Sequence, residues 1–260
     1  MRKLLAFVFP AILLLTSSCG NEPKKETVSE KKDSAVINNV ELKKKASLFK
    51  PATLPFVVDT NLLFNIEKGD SLGTFEIKLL AANFLKNDLL QDIEYGLSAF
   101  YKIDSIKAAG KYQQYCDSLD IGMIKVSTAH ALNEFQLDAN TLVLVWALRS
   151  SSYEACPSSS SSQVFFTLVY KGDVGETFLL GQFDVFADPP VASQVYVSSE
   201  LQENGTLTIK RRQINDEDMD QPEVSVEDAS YDFVIKDGSI KKITEKIELA
   251  RKEARKKVGF

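Results

Sequence analysis

Past residue 50 the apolar positions come in short runs separated by polar punctuation. Phe56-Val57-Val58 and Leu62-Leu63-Phe64 have strand length. Phe75, Leu79, Leu80, Ala82 and Leu85 recur at helical spacing until Asn87-Asp88 interrupts them. Leu97 to Ile106 alternates as a strand would, Ala108 to Leu119 reads as a helix, and Met123 to Val126 as a short strand. Ala129 to Phe135 fits either period. Beyond it the pattern is that of antiparallel β-structure. Asn140 to Leu148, Val164 to Tyr170, Thr177 to Phe186, Gln194 to Ser199, Thr206 to Arg212 and Tyr231 to Lys236 are rich in Val, Phe, Tyr, Leu and Thr. Lys171-Gly172-Asp173, Asp188-Pro189-Pro190, Asn204-Gly205 and Asp237-Gly238 mark turns between them.

These elements predict an α+β fold, an antiparallel β-meander covered by helices drawn mainly from the N-terminal half of the domain. Ile243 to Val258 predicts a closing helix. Its apolar stripe is Ile243, Ile247, Ala250, Ala254 and Val258, and Lys and Arg crowd the other positions. A basic amphipathic helix can dock on its own domain or lie on anionic lipid. No fixed-period repeat runs through the chain.

The first 20 residues follow a different logic. Met1-Arg2-Lys3 is positive, and Leu4 to Leu15 is apolar but too short to span a bilayer. Thr16-Ser17-Ser18-Cys19-Gly20 then supplies small residues ending in a cysteine, completing the layout of an export signal. The segment resembles a bacterial lipobox, with Thr16 where the leucine usually stands. That resemblance implies cleavage after residue 18, acyl chains on Cys19, and attachment to a membrane of the bacterial cell envelope through that residue. Asn21 stands where an aspartate often retains such proteins at the inner membrane, so the outer membrane is expected. The meander, with Tyr231 to Gly238 near its end, loosely resembles β-rich bacterial lipoproteins; this implies no activity.

Residues 19–50 are polar, with Lys24-Lys25-Glu26, Glu30-Lys31-Lys32-Asp33 and Lys43-Lys44-Lys45 and few large apolar residues. Such a stretch cannot bury enough surface to offset its ordering entropy, so it reads as a flexible tether. Residues 51–260 then form a single globular domain.

Charge narrows the partners. Removing residues 1–18 takes away Arg2 and Lys3 and leaves 29 Lys plus Arg against 36 Asp plus Glu, a net of −7. This argues against a general nucleic-acid binder, which needs clustered positive charge.

Candidate chemistry is sparse. Asp216, Asp218, Asp220 and Glu227 occupy positions 1, 3, 5 and 12 of an EF-hand-like loop, a spacing at which hard oxygen ligands can wrap Ca2+. Gln221 replaces the glycine such a loop needs, and the alternative is a solvated acidic hairpin loop. Cys116 and Cys156 form a candidate disulfide in an oxidising compartment, or else are two free thiols. His130 is the single histidine, so any Ser-His-Asp or Cys-His mechanism must use it. No G-x-S-x-G, H-E-x-x-H, G-x-x-x-x-G-K-[ST] or G-x-G-x-x-G is present. Hydrolysis on paired carboxylates stays open, because pairing is invisible in sequence. Ser150 to Ser152 and Ser158 to Ser162 read as a mobile loop around Cys156. Asp33-Ser34-Ala35, Asp70-Ser71-Leu72, Asp104-Ser105-Ile106 and Asp117-Ser118-Leu119 resemble a bacterial O-glycosylation pattern. The aromatics of the β region, among them Trp146, Phe165, Phe166, Phe178 and Phe233, read as core, or if exposed as a glycan or peptide platform.

The sequence therefore predicts no catalytic residue. It points to a lipid-anchored envelope lipoprotein that binds a protein or another envelope component. The alternatives are a glycan or small-molecule binder using a cleft between helices and sheet, and a carboxylate-dependent hydrolase.

Overall fold

A computed structural model describes residues 47–85, 93–218 and 220–258. The expected signal segment, Cys19 and nearly all of the tether lie outside those residues.

Eight consecutive strands form an antiparallel meander: β4 (Ile124–Asp138), β5 (Thr141–Ser152), β6 (Ser158–Tyr170), β7 (Asp173–Asp188), β8 (Val191–Leu201), β9 (Thr206–Asp216), β10 (Glu223–Lys236) and β11 (Ser239–Ile247). Two of its hairpins close through two-residue turns, Lys171-Gly172 and Asp237-Gly238, with positive φ at both positions. That is the geometry whose twist matches the flanking strands. Short strands extend the sheet. β1 (Lys50–Pro51) runs parallel to β4, and β3 (Asp70–Leu72) runs antiparallel to it. β2 (Phe56–Val58) pairs with the end of β8, and β12 (Arg251–Ala254) with the start of β10.

The α+β expectation is overturned. The described residues are mostly β, with 56% of them in strands of one mixed twelve-stranded sheet and 19% in helix. The helices are α1 (Thr60–Phe64), α2 (Thr74–Leu80), α3 (Ile93–Ala108), α4 (Tyr112–Asp117) and α5 (Arg255–Val258), with one 3-10 turn at Ile66–Lys68. They form no separate N-terminal cover, because β1, β2 and β3 of the same sheet interleave with them.

Leu62-Leu63-Phe64, of strand length, lies in α1 instead, and three longer readings failed for identifiable reasons. Leu97 to Ile106 is helix, because Phe100 and Ile103 share a buried face at i, i+3 spacing. The serine tract Ser158–Ser162 is strand. Its backbone pairs with β5 and β7, and Ser161 Oγ donates to Asp184 Oδ1 at 2.6 Å. The predicted C-terminal helix is β11, β12 and one helical turn. A bulge leaves Ile243 without an opposite residue between the pairs Thr244–Asp232 and Lys242–Phe233. Ile243 and Ile247 stand four residues apart, a spacing that puts two side chains on one face of a strand as well as of a helix, so the apolar stripe does not separate the two.

The core holds β5, β6 and β7 on both faces. On one, Trp146 and Phe165 sit 4.6 Å apart under Phe84. Trp146 Nε1 donates to Thr167 Oγ1 at 2.9 Å, and the Thr167 and Thr177 hydroxyls both donate to Leu80 O, at 2.9 and 2.5 Å. Two strand residues thus satisfy a carbonyl at the C-terminal end of α2 that the helix cannot. On the other face Phe178 meets Phe233 edge-on at 4.8 Å. Those residues belong to β7 and β10, which are not neighbours in the ladder, so the sheet curls until its halves touch. The curl opens at Gly181. β7 pairs with β8 only from Gln182 onward, and β2 takes the remaining edge of β8. A Cβ on Gly181 would stand 2.4 Å from Val58 Cγ1, so only glycine lets β2 come this close.

Candidate functional site

The outer face of β8–β11 is built from alternating positions of four strands. Leu207, Ile209, Tyr231 and Phe233 point into the core. The intervening residues line up in rows across the sheet. Tyr196, Arg212 and Asp228 form one row, and Ser198, Lys210, Ser230 and Lys246 the next. Glu200, Thr208, Asp232 and Thr244 make a third. The first two rows line a groove of about 430 Å³, with Glu248 at its rim.

The electrostatics differ from row to row. Arg212 holds Asp228 with both arms of its fork, Nε to Oδ1 at 2.7 Å and Nη2 to Oδ2 at 3.0 Å. Arg251 adds a third hydrogen bond to Oδ2 at 2.6 Å. The Arg212 contact, aided by Arg251 and opposed by burial, holds the Asp228 carboxyl at about 2. Asp232 is lowered by the hydroxyls of Thr244 and Thr208, which donate at 2.7 and 2.9 Å. The middle row is open. Lys246 meets only the well-exposed Glu248, at 3.2 Å, and Lys210 is exposed with no ion pair or hydrogen bond among the described residues. The groove lining carries four cationic residues, Lys210, Arg211, Arg212 and Lys246, against Asp228 and Glu248, on a chain of net charge −5. Its groups are cations, hydroxyls, the locked carboxylate of Asp228 and the exposed one of Glu248, a set with positive charge in excess that suits an anion.

The acidic loop has a different occupant. Asp216 is 1% exposed at the end of β9, and Arg255 Nη1 and Nη2 donate to its two oxygens, the second at 2.9 Å. Arg255 Nη2 also reaches the carbonyls of Asp218 and Gln221, at 3.0 and 2.9 Å. The Asp218 side chain caps the turn, accepting from Asp220 N at 3.0 Å. Glu227 pairs with Arg211 at 3.1 Å. The cation within this loop is therefore an arginine. Among the described residues no three His, Cys, Asp or Glu side chains converge as metal ligands.

The remaining sequence candidates are dispersed. Cys116 on α4 and Cys156 are both free thiols, the second with its sulfur 3.8 Å from Asp188 Oδ1. His130 on β4 faces Gly69 O through Nδ1 at 3.2 Å, and its Nε2 is buried with no partner among the described residues. Because a carbonyl only accepts, Nδ1 carries the proton. Ser71, Ser105 and Ser118 are exposed, and Ser34 lies outside the described residues.

A second concavity of about 240 Å³ lies between α3, α4 and the start of β4, lined by Tyr95, Ser98, Lys102, Tyr115 and Met123. Tyr95 is 63% exposed. The Tyr115 and Tyr112 hydroxyls donate to Ile124 O and Lys125 O, at 2.6 and 3.0 Å, fixing both rings. Lys102 Nζ stands 5.4 Å from the centre of the Tyr115 ring.

The sequence reading missed the β8–β11 groove. The signal was present as polar residues at every second position, 206 to 212 on β9 and 228 to 232 on β10. Comparison with protein-family models, with curated proteins and with solved structures finds no match for this chain.

Proposed function

We propose that this chain is a lipid-anchored binding module of the bacterial cell envelope. It is tethered through Cys19, most naturally at the outer membrane, and uses the β8–β11 groove as its binding face. The observation that carries this reading is the open row Ser198–Lys210–Ser230–Lys246. In one neighbouring row Arg212 and Asp228 neutralise each other and in the other Asp232 takes two threonine hydroxyls, whereas Lys210 keeps its charge free. An unneutralised cation in a groove on an acidic chain draws ligands of opposite sign. The N-terminal layout supplies the anchor.

Crosslinking of the native chain in intact envelopes, followed by affinity purification and mass spectrometry, tests the reading. A dominant component captured by the wild-type chain should be lost from a Lys210→Glu, Lys246→Glu variant. Equal recovery by both chains would remove the groove from the reading.

A second reading has its own observation. Tyr95 is an exposed ring beside a concavity that also offers Ser98 and Lys102, the arrangement a sugar ring would use for stacking and hydrogen bonding. Saturation-transfer signals from an oligosaccharide that vanish on Tyr95→Ala would favour this glycan site over the groove.

A further inference from the structure

We propose that the ligand of the β8–β11 groove is recognised through a phosphate group. This inference rests on the reading of the groove as the binding face and names the chemistry it selects.

The argument starts from what the forked cations are already doing. A carboxylate is best held by a planar guanidinium that gives two parallel hydrogen bonds. Arg212 spends its fork on Asp228, and Arg251 is divided between Asp228 and Glu253. Arg211, which also lines the groove, divides its fork between Glu227 and Gln213, so each guanidinium at the groove already holds a protein partner. The groups that remain are point charges and hydroxyls. Lys210 and Lys246 stand in one row with Ser230 between them, and Ser198 ends that row on β8. The two lysines are two strands apart, a backbone separation of roughly 10 Å at the usual strand spacing. Their long side chains can therefore converge above Ser230 on one anion. An ammonium has no preferred plane and binds phosphate as a point charge. The Ser230 hydroxyl approaches from the sheet below, between the two lysines, so donors meet the anion from both sides and from beneath.

Charge supports the same choice. Asp228 balances Arg212 and Glu253 balances Arg251, so the positive charge left over in the groove is that of Lys210. The Lys246–Glu248 pair is exposed on both sides, and a stronger anion can displace such a contact at little cost.

Phosphate can reach an envelope protein as a free ion or ester, or as a lipid headgroup. Calorimetric titration of the full chain in neutral detergent separates these sources with three probes: inorganic phosphate, glycerol 3-phosphate, and dihexanoylphosphatidylglycerol below its micelle concentration. Binding should weaken about tenfold or more in a Lys210→Ala, Lys246→Ala variant, and also in Ser230→Ala combined with either lysine change. It should fall with rising salt and survive Lys252→Ala, a substitution on exposed β12 away from the rows. Preference for the lipid probe assigns a headgroup, and preference for the first two assigns a soluble phosphate. Failure of all three probes, or equal binding by wild type and the double variant, would overturn the proposal. If the probes fail while envelope crosslinking still depends on Lys210 and Lys246, only the phosphate assignment falls. If crosslinking is also indifferent to the lysines, the groove falls with it.

Discussion

Arg255 reaches back 39 residues to enclose the buried carboxylate of Asp216. The contact fastens the last helical turn to the β9–β10 connection. Beneath it Ile214, Val224 and Val226 form a small apolar cluster apart from the main core. The loop whose acidic spacing suggests a calcium site is thus closed by the protein's own cation.

Removing that cation should be costly. Arg255→Ala removes the ion-pair partner of the buried Asp216 side chain and should destabilise the fold. Urea denaturation should show it as a lower midpoint. An Asp216→Leu, Arg255→Met double variant should recover most of the loss, because no lone charge remains. A single variant as stable as the wild type would show that water already reaches Asp216.

Asp228 gives the chain an acid-sensitive element. Its folded pKa of about 2 lies below the 3.8 of a free aspartate, so folding favours the ionised form. Its contribution is fully present above about pH 5 and is lost as pH falls toward 2, because protonation breaks the bonds to Arg212 and Arg251. For a partly solvated group this is about 1 to 2 kcal/mol. The stability gap between wild type and Asp228→Asn should therefore be open at pH 6 and nearly closed at pH 2. A gap constant over that range would refute the assignment.

How much of this was legible in the sequence depends on distance along the chain. The turns at Lys171-Gly172 and Asp237-Gly238 could be read because a two-residue hairpin needs positive φ, which those residues supply locally. The aromatics Trp146, Phe165 and Phe178 could be placed in the core from strand spacing alone. The serine tract could not be read as strand, since nothing apolar marks it and its pairing is fixed by β5 and β7. Ile243 hid β11, because its four-residue interval to Ile247 fits one face of a strand as well as a helical turn. The groove is the hardest case. Lys210 and Lys246 become neighbours of Ser230 only through ladder register, and Asp216 is committed by an arginine 39 residues away.

The Thr167 hydroxyl holds the join between helix α2 and the sheet, accepting from Trp146 and donating to Leu80 O. Thr167→Val keeps the shape and removes both bonds. It leaves the buried Trp146 N–H without an acceptor, for a loss of about 1–3 kcal/mol. Thr177 still serves Leu80 O, so the variant should fold with a lowered denaturation midpoint and not collapse. Thr167→Ser should lose much less, since the hydroxyl is retained. Equal losses for Val and Ser would show that packing and not hydrogen bonding matters at this site.

The anchor can be tested apart from the domain. If Cys19 carries the acyl chains, Cys19→Ala removes both the modification site and the processing that depends on it. Several chains bind a membrane far more tightly than one, since each buried CH2 adds about 0.8 kcal/mol. The wild-type chain should therefore fractionate with the membrane and resist extraction by salt, with an intact mass that includes the lipid. The variant should keep residues 1–18 and show no lipid mass. Normal processing of the variant to a chain beginning at residue 19, with retention in the membrane fraction, would refute the lipoprotein reading. It would leave the β8–β11 groove to be judged on its own ligand.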